Sequence, residues 1–130
     1  VRLEAPAEPL VLTADATLLG RALGALLDNA KKHAGGAKLL RVRVRDDGGV
    51  SFEIDDAGPG FRAEDLPRVF EPFYRGGGQA HDEARGVGQG LALVRRIAEA
   101  HGAKVRAENL TPGARVAIDL PAARAAGEDP

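Results

Sequence analysis

Three polar residues near the end of a predicted helix could bind a metal ion and a phosphate group. Asn29, Lys32 and His33 are three and four residues apart, so they project from one face of that helix. The amide of asparagine offers the neutral, hard oxygen that Mg²⁺ accepts while it keeps several water ligands, and a lysine can meet phosphate as a point charge. Taken alone, the pattern also fits a polar helix end that faces solvent.

A second candidate is the segment 56–60 (DAGPG), which directly follows a predicted strand. The carboxylate of Asp56, at the mouth of a pocket, could accept a hydrogen bond from the exocyclic amine of adenine. Guanine has a carbonyl at that position, so a buried carboxylate would discriminate against it. Gly58 and Gly60 allow the backbone a close approach and unusual dihedral angles. The alternative is a plain Asp–Gly turn.

Glycines also crowd the segment 86–91 (GVGQGL), which leads into a second predicted helix. Gly86, Gly88 and Gly90 would expose backbone amides at the start of that helix, where anions bind. The spacing is superficially that of a dinucleotide-binding fingerprint, but no strand precedes it. A Walker A loop is excluded because neither Gly-Lys-Ser nor Gly-Lys-Thr occurs. The alternative is a flexible loop that ends at a helix.

Four of the five aromatic residues fall in one loop region, namely Phe61, Phe70, Phe73 and Tyr74. In a glycine-rich loop such rings either form a satellite of the core or dock the loop over a ligand or a partner domain. The sequence leaves both interpretations open.

The remaining histidines of interest and a row of arginines have simpler interpretations. We predict that His81 and His101 are surface residues, and His101 lies at a helix C-terminus, where a cation is favoured. Arg41, Arg43 and Arg45 alternate with apolar residues, which predicts that they form the solvated face of a strand.

The composition indicates one ordinary globular domain. The chain has 130 residues, of which 44% are hydrophobic and 28% charged, enough to bury a core without staples. The absence of cysteine excludes disulfides, thiolate metal sites and a cysteine nucleophile. A net charge of -1 argues against a nucleic-acid partner, and no apolar run approaches the ~20 residues of a membrane helix. Because the chain contains no methionine, we interpret it as a piece of a longer protein.

The elements that would position these residues follow from hydrophobic periodicity and turn residues. A helix capped by Asp15 is predicted to end at the glycines 35–36. The segment 55–89 lacks periodicity apart from 65–70, which is typical of a lid or a binding loop. The other predicted elements are strands at 1–4, 39–45, 50–54, 104–107 and 114–120, a helix at 91–101 and a frayed tail at 122–130.

This order of elements predicts an α+β fold. Strands, helix, hairpin, long loop, helix and hairpin do not alternate as in a Rossmann sheet. We therefore expect a two-layer sandwich in which helices cover one face of a mixed, mainly antiparallel sheet.

Together these features resemble the catalytic, ATP-binding domain of sensor histidine kinases, within the Bergerat-fold (GHKL) group that includes gyrase-type ATPases and heat-shock chaperones. Residues 26–33 (LLDNAKKH) resemble its N box and 56–60 its G1 box. Residues 69–75 (VFEPFYR) resemble its F box, 86–94 (GVGQGLALV) its G2 box and 97–102 (IAEAHG) the motif that follows. The resemblance covers residues 1–121, the predicted domain, and implies a Bergerat fold with a long ATP lid.

The resemblance also implies roles for individual residues. Asn29 would coordinate the Mg²⁺ that bridges the phosphates of ATP, with Lys32 and His33 near phosphate and ribose, so Asn29 and Lys32 are the expected catalytic residues. Asp56 would hold adenine. The other expected ATP-binding residues are Gly58 and Gly60 in the adenine pocket, Tyr74 and Arg75 at the edge of the lid, and Gly86, Gly88, Gly90 and Leu91 around the triphosphate.

The implied reaction is transfer of the γ-phosphoryl group of ATP to a histidine on a separate dimerisation domain, with a response regulator downstream. None of the three histidines here has the setting of that acceptor, so we expect the chain to bind ATP with Mg²⁺ but not to phosphorylate itself. The expected location is cytoplasmic, as a free protein or as the cytoplasmic part of a membrane-anchored sensor. No nucleic acid and no direct membrane contact are expected.

Three positions depart from the family pattern. Ala25 stands where the hydrolysing relatives carry a catalytic glutamate, which argues against a gyrase-like ATPase. Gln89 replaces a usual leucine and Ala114 a usual threonine. The alternative is therefore a catalytically weakened nucleotide-binding or docking module of the same fold. A third candidate, an anti-sigma-type serine kinase, is disfavoured by the complete F box.

Overall fold

The part of the chain that the structure describes forms a five-stranded sheet, two long helices and a short 3₁₀ helix. The computed structural model describes residues 2–7, 14–72 and 90–122. In chain order the elements are β1 (Arg2–Glu4), α1 (Ala16–Ala34), β2 (Ala37–Val44), β3 (Val50–Asp56), a 3₁₀ helix (Ala63–Arg68), α2 (Gly90–Ala100), β4 (Lys104–Asn109) and β5 (Ala114–Leu120).

The sheet is mixed and mainly antiparallel, as predicted. Its strand order is β1-β2-β3-β5-β4, and only the β1–β2 pair is parallel. Apolar residues from one face of β3 and β5 form a single core with both helices, among them Phe52, Ile54, Val116 and Ile118. The α+β fold class with helices on one face of the sheet is confirmed.

Helix α1 begins and ends where its sequence predicts. The side chain of Asp15 accepts a hydrogen bond of 2.9 Å from the backbone N–H of Leu18, which satisfies one free donor of the first turn. At the other end, Gly35 takes the left-handed conformation and the N–H of Gly36 donates to the carbonyl of Ala30 over 3.0 Å. Among the leucines of this helix, Leu27 is 37% exposed.

His101 is partly buried and joins the two helices, a contact that its interpretation as a surface residue did not include. Its Nδ1 lies 2.8 Å from the carbonyl oxygen of Ile97, and its Nε2 accepts a hydrogen bond of 3.0 Å from the backbone N–H of Asp15. Because Nε2 accepts from Asp15, Nδ1 is the ring nitrogen that can donate to Ile97. The end of α2 is thereby tied to the start of α1.

The sheet face that the helices leave uncovered is held by ion pairs. Alternation along β3 sends Phe52 and Ile54 into the core and Glu53 to the opposite face. Glu53 is only 1% exposed. Its two carboxylate oxygens accept hydrogen bonds from Arg41 at 3.3 Å, Arg43 at 3.1 Å and Arg106 at 2.9 Å.

The prediction that Arg41, Arg43 and Arg45 form a solvated face holds only in part, because Arg43 is exposed whereas Arg41 and Arg45 are partly buried and all three side chains have acceptors. The sequence pattern placed them correctly opposite the apolar side of β2. On that side of the sheet, however, β3 and β5 supply acceptors, and Arg45 donates to the hydroxyl of Ser51 at 3.1 Å and to the carbonyl of Leu120 at 2.8 Å. The side chains of these three arginines thus lie over the polar face of the sheet, where they bind residues of β3.

These ion pairs alter the titration of the buried carboxylates. Burial by itself raises the pKa of Glu53, but the hydrogen bonds from Arg106 and Arg43 outweigh it, and the pKa lies below its ordinary value. The pKa of Asp119 is lowered for the same reason, since burial is outweighed by hydrogen bonds from Arg106 and Ser51. Both groups are therefore carboxylates at neutral pH.

Candidate functional site

One carboxylate oxygen of Asp56 accepts two backbone hydrogen bonds, and the other has no hydrogen-bond partner among the described residues. It is the last residue of β3 and is 8% exposed. Its Oδ1 accepts hydrogen bonds from the backbone N–H of Gly58 at 2.9 Å and of Ala114 at 3.2 Å. No group in residues 2–7, 14–72 or 90–122 donates to Oδ2. Every fully buried side-chain N or O atom in that part of the chain has a hydrogen-bond partner, so Oδ2, which has none there, is not fully buried.

The loop after Asp56 packs tightly against the end of α1. A Cβ placed on Gly58 would lie 2.5 Å from the Cβ of Ala34, closer than two carbons can approach. Gly60 has a φ of +81°, a conformation that side-chain-bearing residues rarely adopt. Both glycines are therefore required by the loop geometry, Gly58 by close approach and Gly60 by its dihedral angle.

The contact between Ala34 and Gly58 brings the C-terminal end of α1 against the loop that follows Asp56. Asn29 lies five residues before Ala34 on the same helix, which corresponds to about 7.5 Å along the helix axis. Its side chain is partly buried, and no described residue hydrogen-bonds to it. Neither the amide group of Asn29 nor Oδ2 of Asp56 has a hydrogen-bond partner among the described residues.

The basic residues of the last turn of α1 are exposed. The Nζ of Lys32 lies 3.3 Å from a carboxylate oxygen of Asp28, and both side chains are about half exposed. Such an exposed pair contributes little to stability, so Lys32 can exchange Asp28 for another anion at little cost. His33 is also exposed.

The first residues of α2 have two different environments. Gly90 starts the helix, and a Cβ there would meet nothing within 4 Å. Leu91 is 7% exposed and packs in the core, so its side chain belongs to the core rather than to a ligand site. The predicted site residues Tyr74, Arg75, Gly86 and Gly88 lie outside the described residues, as do Phe73, His81 and Gln89.

The described residues contain neither a protein metal cage nor a membrane span. Within these ranges no three histidine or acidic side chains come together as metal ligands. No helix in them is long and apolar enough to cross a bilayer. A metal held here would therefore depend on a few protein atoms together with ligand or water oxygens.

Two residues of this region were missed by sequence reasoning. Gly113 has a φ of +99°, and a Cβ on it would lie 1.8 Å from the carbonyl oxygen of Asp56, so it allows β5 to start directly beneath the loop. Asn109 hydrogen-bonds to the backbone of Phe61. The sequence Thr-Pro-Gly at 111–113 is typical of a turn and could have indicated Gly113. No local signal existed for the second, because its partner is 48 residues away.

The comparison with protein families agrees with this geometry. The family described as "Histidine kinase-, DNA gyrase B-, and HSP90-like ATPase" matches residues 14–124. The chain belongs to this family. The match contains both the helix of Asn29 and the loop of Asp56, so the resemblance that the sequence motifs indicated is confirmed.

Relatives of this ATPase-family domain are sensor proteins. The chain is 33% identical over 117 residues to the "Sensor protein KdpD" of Clostridium acetobutylicum, covering 89% of the chain and 13% of the relative. It is 38% identical over 120 residues to the "Sensor histidine kinase component HK1" of Mycobacterium tuberculosis, covering 91% of the chain and 70% of the relative. The chain thus spans only a small part of the larger sensor.

Solved structures of the family share the fold. The "Mycobacterial sensor histidine kinase MprB" is 30% identical, with a TM-score of 0.75, and the match covers 95% of the chain and 83% of that structure. ShkA, solved at full length in complex with AMPPNP, is 32% identical, also with a TM-score of 0.75, and the match covers 97% of the chain and 26% of that structure. The chain corresponds to the ATP-binding catalytic domain of sensor histidine kinases.

Proposed function

We propose that this domain binds ATP with Mg²⁺ and transfers the γ-phosphoryl group to a histidine on a dimerisation domain of the same protein. The observation that carries the proposal is the state of Asp56, whose Oδ1 is fixed by two backbone N–H groups while Oδ2 has no described partner. Full-length ShkA was solved with AMPPNP, an analogue of ATP, which supports nucleotide binding by a related domain.

The open oxygen of Asp56 suits the adenine base. Because the carboxylate is nearly buried and cannot rotate without losing two hydrogen bonds, Oδ2 is a pre-oriented acceptor. The exocyclic amine of adenine would donate to it. The carbonyl of guanine would face an oxygen and leave both groups unpaired, which is costly in a buried site.

The triphosphate is negatively charged, and the C-terminal end of α1 carries partial negative charge that would repel it. Positive groups are therefore needed to bind the triphosphate there. Lys32 would contact phosphate, exchanging its exposed pair with Asp28. Asn29 fits a magnesium ion, since its amide oxygen is a hard neutral ligand without a described partner and Mg²⁺ keeps water and phosphate oxygens for its other positions. When bound, Mg²⁺ would neutralise charge on the phosphate oxygens. The start of α2 would supply backbone N–H groups.

Transfer is favoured over hydrolysis because of Ala25. This residue, four positions before Asn29, is partly buried and packs against the core. A methyl group cannot remove a proton from water, so the position supplies no general base. The acceptor histidine and the response regulator would lie outside this chain, and the reaction would take place in the cytoplasm, where ATP is available.

The proposal is tested by calorimetry and by phosphorylation. We expect the chain to bind ATP more tightly with Mg²⁺ than with EDTA, and to incorporate no labelled phosphate by itself. Joined to its dimerisation domain, it should phosphorylate the histidine there. Failure to bind ATP would refute the proposal. Binding without transfer by the joined protein would favour the nucleotide-binding or docking module, in which Ala25 and Gln89 reflect lost catalysis.

The role of Asp56 gives a sharper prediction. In Asp56→Asn the amide oxygen must keep accepting from Gly58 and Ala114, so the NH₂ group takes the place of Oδ2. Two donors then face each other when adenine binds, and we expect ATP affinity to fall about tenfold to hundredfold. The affinity for GTP should rise, since the amide can donate to its carbonyl.

Titration of both nucleotides into Asp56→Asn measures the change. The matched control is Asp46→Asn, the same chemical change at an exposed residue of the β2–β3 turn. An unaltered ratio of ATP to GTP affinity in Asp56→Asn would show that Oδ2 does not contact the base.

A further inference from the structure

Asn109, at the end of β4, clamps the loop that follows Asp56. Its Oδ1 accepts a hydrogen bond of 2.7 Å from the N–H of Phe61, and its Nδ2 donates one of 2.8 Å to the carbonyl of the same residue. A carboxamide is the side-chain group that offers one acceptor and one donor side by side in this way. The two bonds fix both the position and the rotation of the Phe61 peptide groups.

The loop backbone lies directly against this side chain. A Cβ placed on Gly60 would be 2.7 Å from the Oδ1 of Asn109 and 3.0 Å from the carbonyl oxygen of Gly113. Gly60 can therefore adopt its φ of +81° in contact with Asn109 because it has no side chain. The clamp and the left-handed glycine form one packed unit.

The other end of the loop is fastened to the same hairpin. The N–H of Ala114 donates to Oδ1 of Asp56, and Gly113 packs on the carbonyl of Asp56. Asp56, which precedes the loop 57–61, and Phe61, its last residue, are thus both held by the segment 109–114 at the turn between β4 and β5. In the adenine-binding role proposed above, this hairpin sets the direction in which Oδ2 of Asp56 points.

We infer that Asn109 is a positioning residue of the nucleotide site, which acts on the base through the loop 57–61 without touching it. The inference rests on the proposed function. Asn109 itself is exposed and lies outside the core, so its loss should leave the stability of the domain nearly unchanged. What it should change is the pre-organisation of the loop, because an unclamped loop must be ordered when the nucleotide binds.

The test compares Asn109→Ala and Asn109→Asp with the unaltered chain. We expect Asn109→Ala to weaken ATP binding about tenfold and to reduce the preference for ATP over GTP. We expect Asn109→Asp to bind ATP no more tightly than Asn109→Ala does. The aspartate keeps an acceptor for the N–H of Phe61, but its second carboxylate oxygen would face the carbonyl oxygen of Phe61. Amide hydrogen exchange should accelerate in residues 57–62, while Tm changes little.

The control is Glu99→Ala, which removes an exposed side-chain bond to Arg95 on α2, away from the loop. It should leave both nucleotide affinity and the exchange of residues 57–62 unchanged. If Asp56→Asn weakens ATP binding and Asn109→Ala does not, the positioning role is refuted while the proposed function stands. If the unaltered chain binds no ATP, both are refuted. Faster loop exchange with unaltered nucleotide preference would also refute the positioning role.

Discussion

Replacing Asn29 with alanine is expected to lower phosphoryl transfer by at least about a hundredfold in a protein that carries both this domain and its dimerisation domain. The amide oxygen of Asn29 suits a hard cation, and no described residue hydrogen-bonds to it. Because phosphoryl transfer depends on positioning and charge neutralisation, loss of this oxygen would, in the proposed role, remove a large part of what the domain supplies. Labelled phosphate on the acceptor histidine measures the rate.

A second readout separates the role of Asn29 from general damage. Asn29→Ala should reduce the difference in ATP affinity between Mg²⁺ and EDTA, while the affinity in EDTA stays close to that of the unaltered chain. Lys31→Ala is the matched control, because Lys31 is exposed and belongs to the same turn. A variant that retains the full effect of Mg²⁺ would contradict the assignment of Asn29 to the metal.

Glu53→Gln is expected to lower the free energy of unfolding by about 3 kcal/mol. The side chain is 1% exposed and lies within 4 Å of four arginines, at positions 41, 43, 106 and 115. The neutral amide of glutamine cannot balance the charge of these arginines. Its NH₂ group would also face an arginine N–H group, so that two donors oppose each other. Urea denaturation measures the loss, and Glu99→Gln on the surface of α2 should have a much smaller effect.

The same carboxylate makes stability depend on pH. Because the pKa values of Glu53 and Asp119 are lower in the folded chain than in the unfolded chain, their contribution is fully present above the unfolded values of about 4 and is lost as pH falls through the folded values. We expect the free energy of unfolding to fall below about pH 4. The fall should be shallower in Glu53→Gln, and an equal slope in both proteins would contradict the role of Glu53.

Local signals predicted most of the fold. The cap at Asp15, the stop at Gly35 and the β2–β3 hairpin each depend on residues within a few positions of one another, so they can be read directly from the sequence. The position of Asp56 after a strand was equally clear. What made Asp56 a candidate for adenine, however, was the order of several motifs rather than any one of them.

Contacts between distant strands were not predictable in this way. Arg43 was assigned to solvent because nothing near it in sequence shows that β3 would place Glu53 beside it. The partner of Asn109 is 48 residues away, and the partner of His101 is 86 residues away. Such pairs exist only once the strand order is known, and the sequence alone leaves that order open.

Asp55 and Asp56 are adjacent in the chain, but their side chains lie on opposite sides of the sheet. Asp55 binds Arg115 through two hydrogen bonds of 2.7 and 2.9 Å on the charged face, whereas Asp56 lies at the candidate pocket. The ion pairs of one sheet face are thus separated from the proposed base-binding carboxylate by the thickness of one strand. A substitution of that carboxylate should therefore leave the ion pairs of the opposite face intact.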